Sequence, residues 1–434
     1  MPAVMEATRN TFDDIVRPQT PARLRLWTGL VIGAAGTLLL SLALVMSQVQ
    51  EQVRIIGTEA TPRAVAAADL YFALSDLDAQ VTRMLLAGDA DETASSRIDA
   101  LARYKERGRQ ADADLRALTS PDAAVAGIYV VDLTDGLAVY RQRVGQAMTA
   151  QELAGGEQPA GRPAAGALGH YTQATNLLHQ RLLPDAQKLL DESRRELDEA
   201  YADKRSTESA ATAVAVLLGG TLLALLVFLQ VWLARRFRRL LNPALLTATG
   251  LSLLLLVTSA LVLGAQERRL AEARDAGLTP YLELARLRAV GYDASADTSR
   301  YLVSANLDRY RKDFDAKAAT LAGGVGRVAG PEAERRWQAY QKVHERITGL
   351  ADRGRTAEAV GALTGIRRGD AAFDFAYYDA AVAAAGEDRR AGFDRALRTA
   401  ELTLTGWVTL PVVTFVLVAL LVLAGVRKRL AEYR

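Results

Sequence analysis

Residues 211–265 read ATAVAVLLGGTLLALLVFLQVWLARRFRRLLNPALLTATGLSLLLLVTSALVLGA. Two apolar blocks, 211–234 and 244–265, flank a short basic loop, 235–243, where Arg235, Arg236, Arg238 and Arg239 have no acidic neighbour. A helix needs about 20 consecutive apolar residues to cross the hydrocarbon core, and each block reaches that without a charged side chain. Arginine-rich flanks stay on the cytoplasmic side of a bacterial membrane. The stretch therefore predicts a membrane hairpin that turns inside at Leu241-Asn242-Pro243.

Working outward, two more uncharged blocks appear at 26–47 and 403–425. Arg17, Arg23 and Arg25 precede the first, and Arg427, Lys428 and Arg429 follow the last. The first block is too long and starts too late for a signal peptide, and no small-residue cleavage site follows it. Only one topology puts all three cation clusters inside. Both termini (1–25 and 426–434) and the loop 235–243 are then cytoplasmic, and 48–210 and 266–402 lie outside. The expected location is the bacterial plasma membrane, with lipid contacts along the spans. The cytoplasmic pieces are too short for a catalytic domain, so a non-enzymatic protein is expected. No cysteine is present, which excludes disulfides and thiol chemistry.

The outer segments share a pattern. Thr61-Pro62 is followed by Asp76, Arg83 and Leu85-Leu86, and Thr279-Pro280 by Asp293, Arg300 and Leu302-Val303. Duplication is the simplest account. Proline suits the first turn of a helix, so helices are expected to start at Pro62 and Pro280. The Gly57 and Gly277 that precede them also fit a hinge between membrane and outer domain. Leu70, Leu74, Leu77, Val81 and Met84 then form a heptad-type, coiled-coil seam, and Leu183, Ala186, Leu190, Ser193, Leu197 and Ala200 form another on a helix that runs on into the second span. Between them, 95–118 and 123–148 carry helical spacing. Asp135-Gly136 could instead turn a hairpin, but the apolar positions continue at three-to-four spacing past it. The second segment predicts helices over 280–304, 307–321, 331–351 and 370–400. The fold class is thus all-α: four transmembrane helices and two tandem extracytoplasmic antiparallel four-helix bundles.

The run ALSDLDAQVTRMLL at 73–86 resembles the first helix of chemoreceptor sensor domains, and GDAAFDFAYY at 369–378 resembles the start of their last. Two such sensors in tandem, with four spans and no output domain, resemble the actinobacterial GlnX family. The resemblance covers nearly the whole chain. It implies a relay in which an extracytoplasmic solute-binding lipoprotein holds an acidic amino acid or glutamine. A soluble protein kinase G inside then responds and controls glutamate metabolism. The same resemblance makes a homodimer the default.

Arg83 and Arg300 are the candidate ligand-binding residues, with Asp76 and Asp293 two turns earlier, because a guanidinium holds a carboxylate through two parallel hydrogen bonds. The competing reading is a solvated or intrabundle ion pair, worth little at the surface. Pro62 and Pro280 are the hinge candidates. Arg235, Arg236, Arg238, Arg239, Arg427, Lys428 and Arg429 are membrane-flank and partner-docking candidates. The aromatic group Phe373 to Tyr378 reads as core ahead of a binding face. His170, His179 and His344 are too scattered for a metal site, no cofactor motif is present, and the basic excess at membrane flanks does not suggest nucleic acid. The alternatives are a subunit of a mechanotransmission-type ABC transporter and a structural envelope scaffold.

Overall fold

The computed structural model describes residues 19–88, 91–119, 124–155, 159–237, 243–305, 307–407 and 409–431. Every regular element among them is helical. The chain forms α1 (Gln19–Ile55), α2 (Thr61–Ala87), α3 (Asp91–Leu118), α4 (Ala124–Leu153), α5 (Ala165–Leu177) and α6 (Leu183–Phe237). It continues as α7 (Pro243–Ala273), α8 (Thr279–Val303), α9 (Asp308–Val328), α10 (Pro331–Asp352), α11 (Thr356–Thr364), α12 (Ala371–Trp407) and α13 (Thr409–Ala431). The helix over Asp135-Gly136 is unbroken, and α6 carries its seam directly into the second apolar block. The short α11 has no counterpart in the expected elements.

The helices divide into two compact units. The apolar unit comprises 1–55, 200–271 and 396–434. It contains four helices long and apolar enough to cross a membrane. Val31, Leu38, Leu42, Leu222, Leu226, Leu229, Ala248, Val418 and Val422 close its core. Leu40, Leu44, Leu217, Leu254, Leu261 and Leu420 point outward and are exposed. Apolar surface on that scale is stable only against lipid or another apolar partner. Gln230, the one amide in any block, donates from Nε2 to Thr249 Oγ1 at 2.8 Å, which satisfies a polar group that lipid could not.

The charged unit comprises 56–199 and 272–395, so both segments drawn in the sequence as successive domains contribute to it. Its centre is α2, which packs along α3 and along α8. The heptad residues Leu70, Leu74, Leu77, Val81 and Met84 are buried as expected, but so is nearly every other residue from Ala64 to Ala87. A helix in a lone four-helix bundle keeps a solvated face; α2 has none.

Neither α2 nor α8 begins at its proline as the capping signal predicts. The backbone at Ala60 and Leu278 is already helical, with no side-chain cap. A five-residue π-helical turn precedes each: Ile56–Ala60 and Arg274–Leu278. A third, Leu178–Leu182, precedes Pro184. In each case the carbonyl four residues before the proline, that of Thr58, Gln180 or Ala276, belongs to the middle residue of the turn. Proline cannot donate to that carbonyl, and its ring crowds it. The wider turn relieves the crowding without ending the helix. At Ala276 the freed carbonyl accepts a hydrogen bond from Arg389 Nη1 at 3.0 Å. Gly277 permits this close passage, because a Cβ there would lie 3.0 Å from the Arg389 carbonyl oxygen.

Candidate functional site

The chemistry concentrates where α2 meets α8. Arg300, on α8, is fully buried. Its Nε and Nη2 donate to Asp78 Oδ2 at 2.8 and 2.5 Å, and its Nη1 donates to Asp293 Oδ1 at 3.0 Å and Asp297 Oδ1 at 2.6 Å. Lys317, from α9, bridges Asp293 and Asp297 at 2.6 and 2.5 Å. The π turn before Pro184 brings His179 in, with Nε2 3.8 Å from both Asp78 Oδ2 and Asp293 Oδ1. Thr175 adds a hydrogen bond to Asp78 Oδ2 at 3.2 Å.

Burial alone would raise every carboxyl here. At Asp78 the Arg300 guanidinium and His179 outweigh it, and the carboxyl is held below its ordinary range. Arg300 and Lys317 do the same at Asp293. At Asp297 burial wins and the neighbouring Asp293 charge adds to it, so the carboxyl is raised. Burial works against the charge of Arg300 too, yet the three carboxylates push its pKa well above the usual value. The cluster is therefore a buried polar lock between the two segments, centred on Arg300.

A second polar belt lies on the same helices. Arg107 pairs with Asp76 at 2.7 Å and Arg288 pairs bidentately with Asp379, at 2.5 and 2.9 Å. Both guanidinia stack on the Phe72 ring, 4.4 and 4.2 Å from its centroid. A cleft of about 230 Å³ opens beside this belt, lined in part by Asp69, Tyr281 and Arg390. A larger one, of about 560 Å³, is lined by Arg194, Arg274, Arg327 and Arg389 together with Asp198 and Glu283.

Residues 52–202 match the family model of the actinobacterial sensor domain. No curated protein and no solved structure matches the chain. The matched stretch holds Asp76, Asp78, Arg83 and His179, so Asp78 and His179 of the cluster lie inside the part of the chain that is similar to a sensor domain.

Of the residues singled out in the sequence, Asp293 and Arg300 meet in the lock, whereas Asp76 is taken up by Arg107 and by Gln80 Nε2, at 2.5 Å. Arg300 has three carboxylates of its own and no free donor edge for another. Arg83 is different: it is only 8% exposed and has no hydrogen bond or ion pair to any described residue. Pro62 and Pro280 each follow a π turn. Arg235 and Arg427 are exposed at the ends of α6 and α13. The backbone of Arg236, Lys428 and Arg429 is helical, while Arg238 and Arg239 lie outside the described residues. The aromatic group divides. Phe375 and Tyr378 are core, the former edge-on to Tyr292 at 4.7 Å, while Tyr377 is 47% exposed and pairs with Phe373.

The sequence reading missed Asp78, Asp297, Lys317 and His179. One cue was available. Asp78 follows Leu77 and precedes Ala79 on a helix rich in apolar and small residues, and a charge buried there needs a partner.

Proposed function

We propose that this chain is a non-enzymatic transmembrane sensor and adaptor of the bacterial plasma membrane. It passes a nutrient signal from two tandem outer segments to a soluble Ser/Thr kinase in the cytoplasm. Its termini and the arginine loop 235–243 are cytoplasmic, on the distribution of cations. The observation that carries the reading is the pairing of continuous helices with a buried lock. Leu26–Ala87 and Pro243–Val303 each form one helical run that includes a membrane-length apolar stretch. The outer parts of those two runs are clamped by Arg300 and Asp78. A change at the clamp has a direct mechanical route along both helices, and packed helices with two arrangements are the usual carriers of such signals.

The input on this reading is an acidic amino acid or glutamine, delivered by a solute-binding lipoprotein, and the output controls glutamate metabolism. The sensor-domain match supports the sensing role; the ligand, the lipoprotein, the kinase and a homodimeric state are parts of the proposal. In-cell crosslinking and pull-down of the full-length protein, with and without glutamate or aspartate, tests it. Recovery of a lipoprotein and a soluble kinase is the expected result. Recovery of an ABC ATPase would replace it with the transporter reading, and recovery of neither partner would leave an envelope scaffold.

A further inference from the structure

Arg83 and Arg300 hold corresponding places in the two segments, and their surroundings can be compared residue by residue. The interval that carries Asp76 onto Asp293 also carries Arg83 onto Arg300, Gln80 onto Asp297 and Asp78 onto Ser295. The packing follows the same correspondence. Arg300 reaches across to Asp78, beside which lies buried Tyr140. Arg83 lies within electrostatic reach of buried Tyr340, whose hydroxyl donates to Ser295 Oγ at 3.0 Å. Lys317 on Asp293 is matched by Arg107 on Asp76.

The two environments differ in one respect. Every carboxylate that neutralises Arg300 has lost that role around Arg83. Asp78 has become Ser295 and Asp297 has become Gln80, while Asp76, the counterpart of Asp293, is held by Arg107. A guanidinium more than nine-tenths buried is left without a counter-ion among the described residues. Its nitrogens are not among the fully enclosed polar atoms that lack partners, so they keep contact with solvent. Gln80 Oε1, one helical turn away, is buried and accepts no hydrogen bond, because the amide nitrogen is turned to Asp76. Burying a cation unpaired is costly. An unsatisfied donor fork one helical turn from an unsatisfied acceptor on the same helix calls for a ligand that supplies the complement of both.

We propose that Arg83, Gln80, Ser295 and Tyr340 form a binding site for a small carboxylate that also carries an N–H or O–H donor. The carboxylate takes the place that Asp78 fills for Arg300, forming paired hydrogen bonds with Arg83, and the donor meets Gln80 Oε1. The depth of Arg83 favours a free small molecule over a partner's side chain. Occupancy closes the second half of a lock whose first half the protein closes with its own residues. This deepens the sensing reading and rests on it for the consequence, though not for the binding.

The test uses the full-length protein in nanodiscs at fixed ionic strength, with melting midpoints and calorimetry. The probes are acetate, lactate, glycine, aspartate and, as a donor without a carboxylate, ethanolamine. Lactate, glycine or aspartate is expected to raise the midpoint and bind at least tenfold tighter than acetate, and ethanolamine to do nothing. Arg83→Gln should remove the effect while leaving the ligand-free midpoint unchanged or higher. Ser295→Asp restores the carboxylate that the other half possesses, so it should raise the ligand-free midpoint and abolish the response. The site is ruled out by a response that survives in both variants, or by none of the carboxylates shifting the wild type. Because this readout needs no partner, its failure alongside intact recovery of lipoprotein and kinase would remove the site and leave the relay. Binding without those partners would do the reverse.

Discussion

At the scale of single residues, the lock makes a sharp energetic statement. A buried ion pair adds little net stability compared with an apolar isostere, but removing one partner strands the other in a poor solvent. Arg300→Met leaves Asp293 and Asp297 with Lys317, and Asp78 with only the Thr175 hydroxyl and the more distant His179 ring. It should cost about 3–5 kcal/mol, measured by chemical unfolding in detergent, and adding Asp78→Leu should recover part of that. A loss under about 1 kcal/mol for Arg300→Met would mean that water already reaches the cluster. Two further groups have opposite consequences for pH. Burial and the Arg311 charge lower the pKa of His344 to about 3. Its ring stacks on Phe314 at 3.5 Å and shares a 2.9 Å hydrogen bond with Thr298 Oγ1. The unfolded state takes up this proton first, so His344 lowers stability as pH falls through the unfolded value of 6.5 toward 3. Burial, reinforced by Asp69, raises Asp114 from 3.8 to about 7. Here the folded state keeps the proton longer, and stability falls as pH rises from 3.8 toward 7. Asp114→Asn should therefore raise the melting midpoint at pH 8 and change it little at pH 4, and His344→Gln should flatten the acid side. Equal shifts at both pH values would assign these residues a packing role only. None of this was legible from spacing. Asp114 sits on a helix that reads as amphipathic, and only the packed structure shows that one oxygen of its carboxyl is enclosed without a partner.

At the scale of elements, the legible and illegible parts have separate causes. The four apolar helices could be read because a bilayer imposes composition on every residue of a span. The unbroken α4 could be read because its apolar period outlasts one Asp-Gly pair. The π turns could not, since Thr-Pro opens a helix as readily as it follows a bulge, and the sequence cue is the same. The burial of α2 on all sides could not either, because a heptad seam shows which residues face one partner and is silent about a second. The prolines permit a direct test. Pro280→Ala restores an N–H that can donate to the Ala276 carbonyl, and alanine favours a helix interior by about 3 kcal/mol over proline. The segment 274–278 should then wind as ordinary α-helix and release Arg389. Hydrogen exchange should slow across 276–282. Exchange as fast as in the wild type would show that the packing around Gly277, and not the proline, holds the turn open.

At the scale of the whole molecule, sidedness and cooperativity are the two questions. A reporter that works only after translocation, inserted near Gly161 or Gly330, should be active at both positions if the cations fix the topology as the flanks require. Activity at one alone would place an odd number of spans between them. The cooperativity follows from the sharing of one unit by both long segments. Were they independent bundles, a lesion in one would leave the other intact. Here Asp78 comes from the first segment, while Asp293, Asp297 and Arg300 come from the second. Cutting the lock removes buried pairing from α2 and α8 at once. Contiguous structure that shares its stabilising contacts opens as one unit in native-state exchange. In Arg300→Met, amides of 64–87 and 282–303 should lose protection together and by equal factors, with those of the spans unchanged. If protection fell in 282–303 alone, α2 would be held by α3 without the lock, and the two segments would open separately.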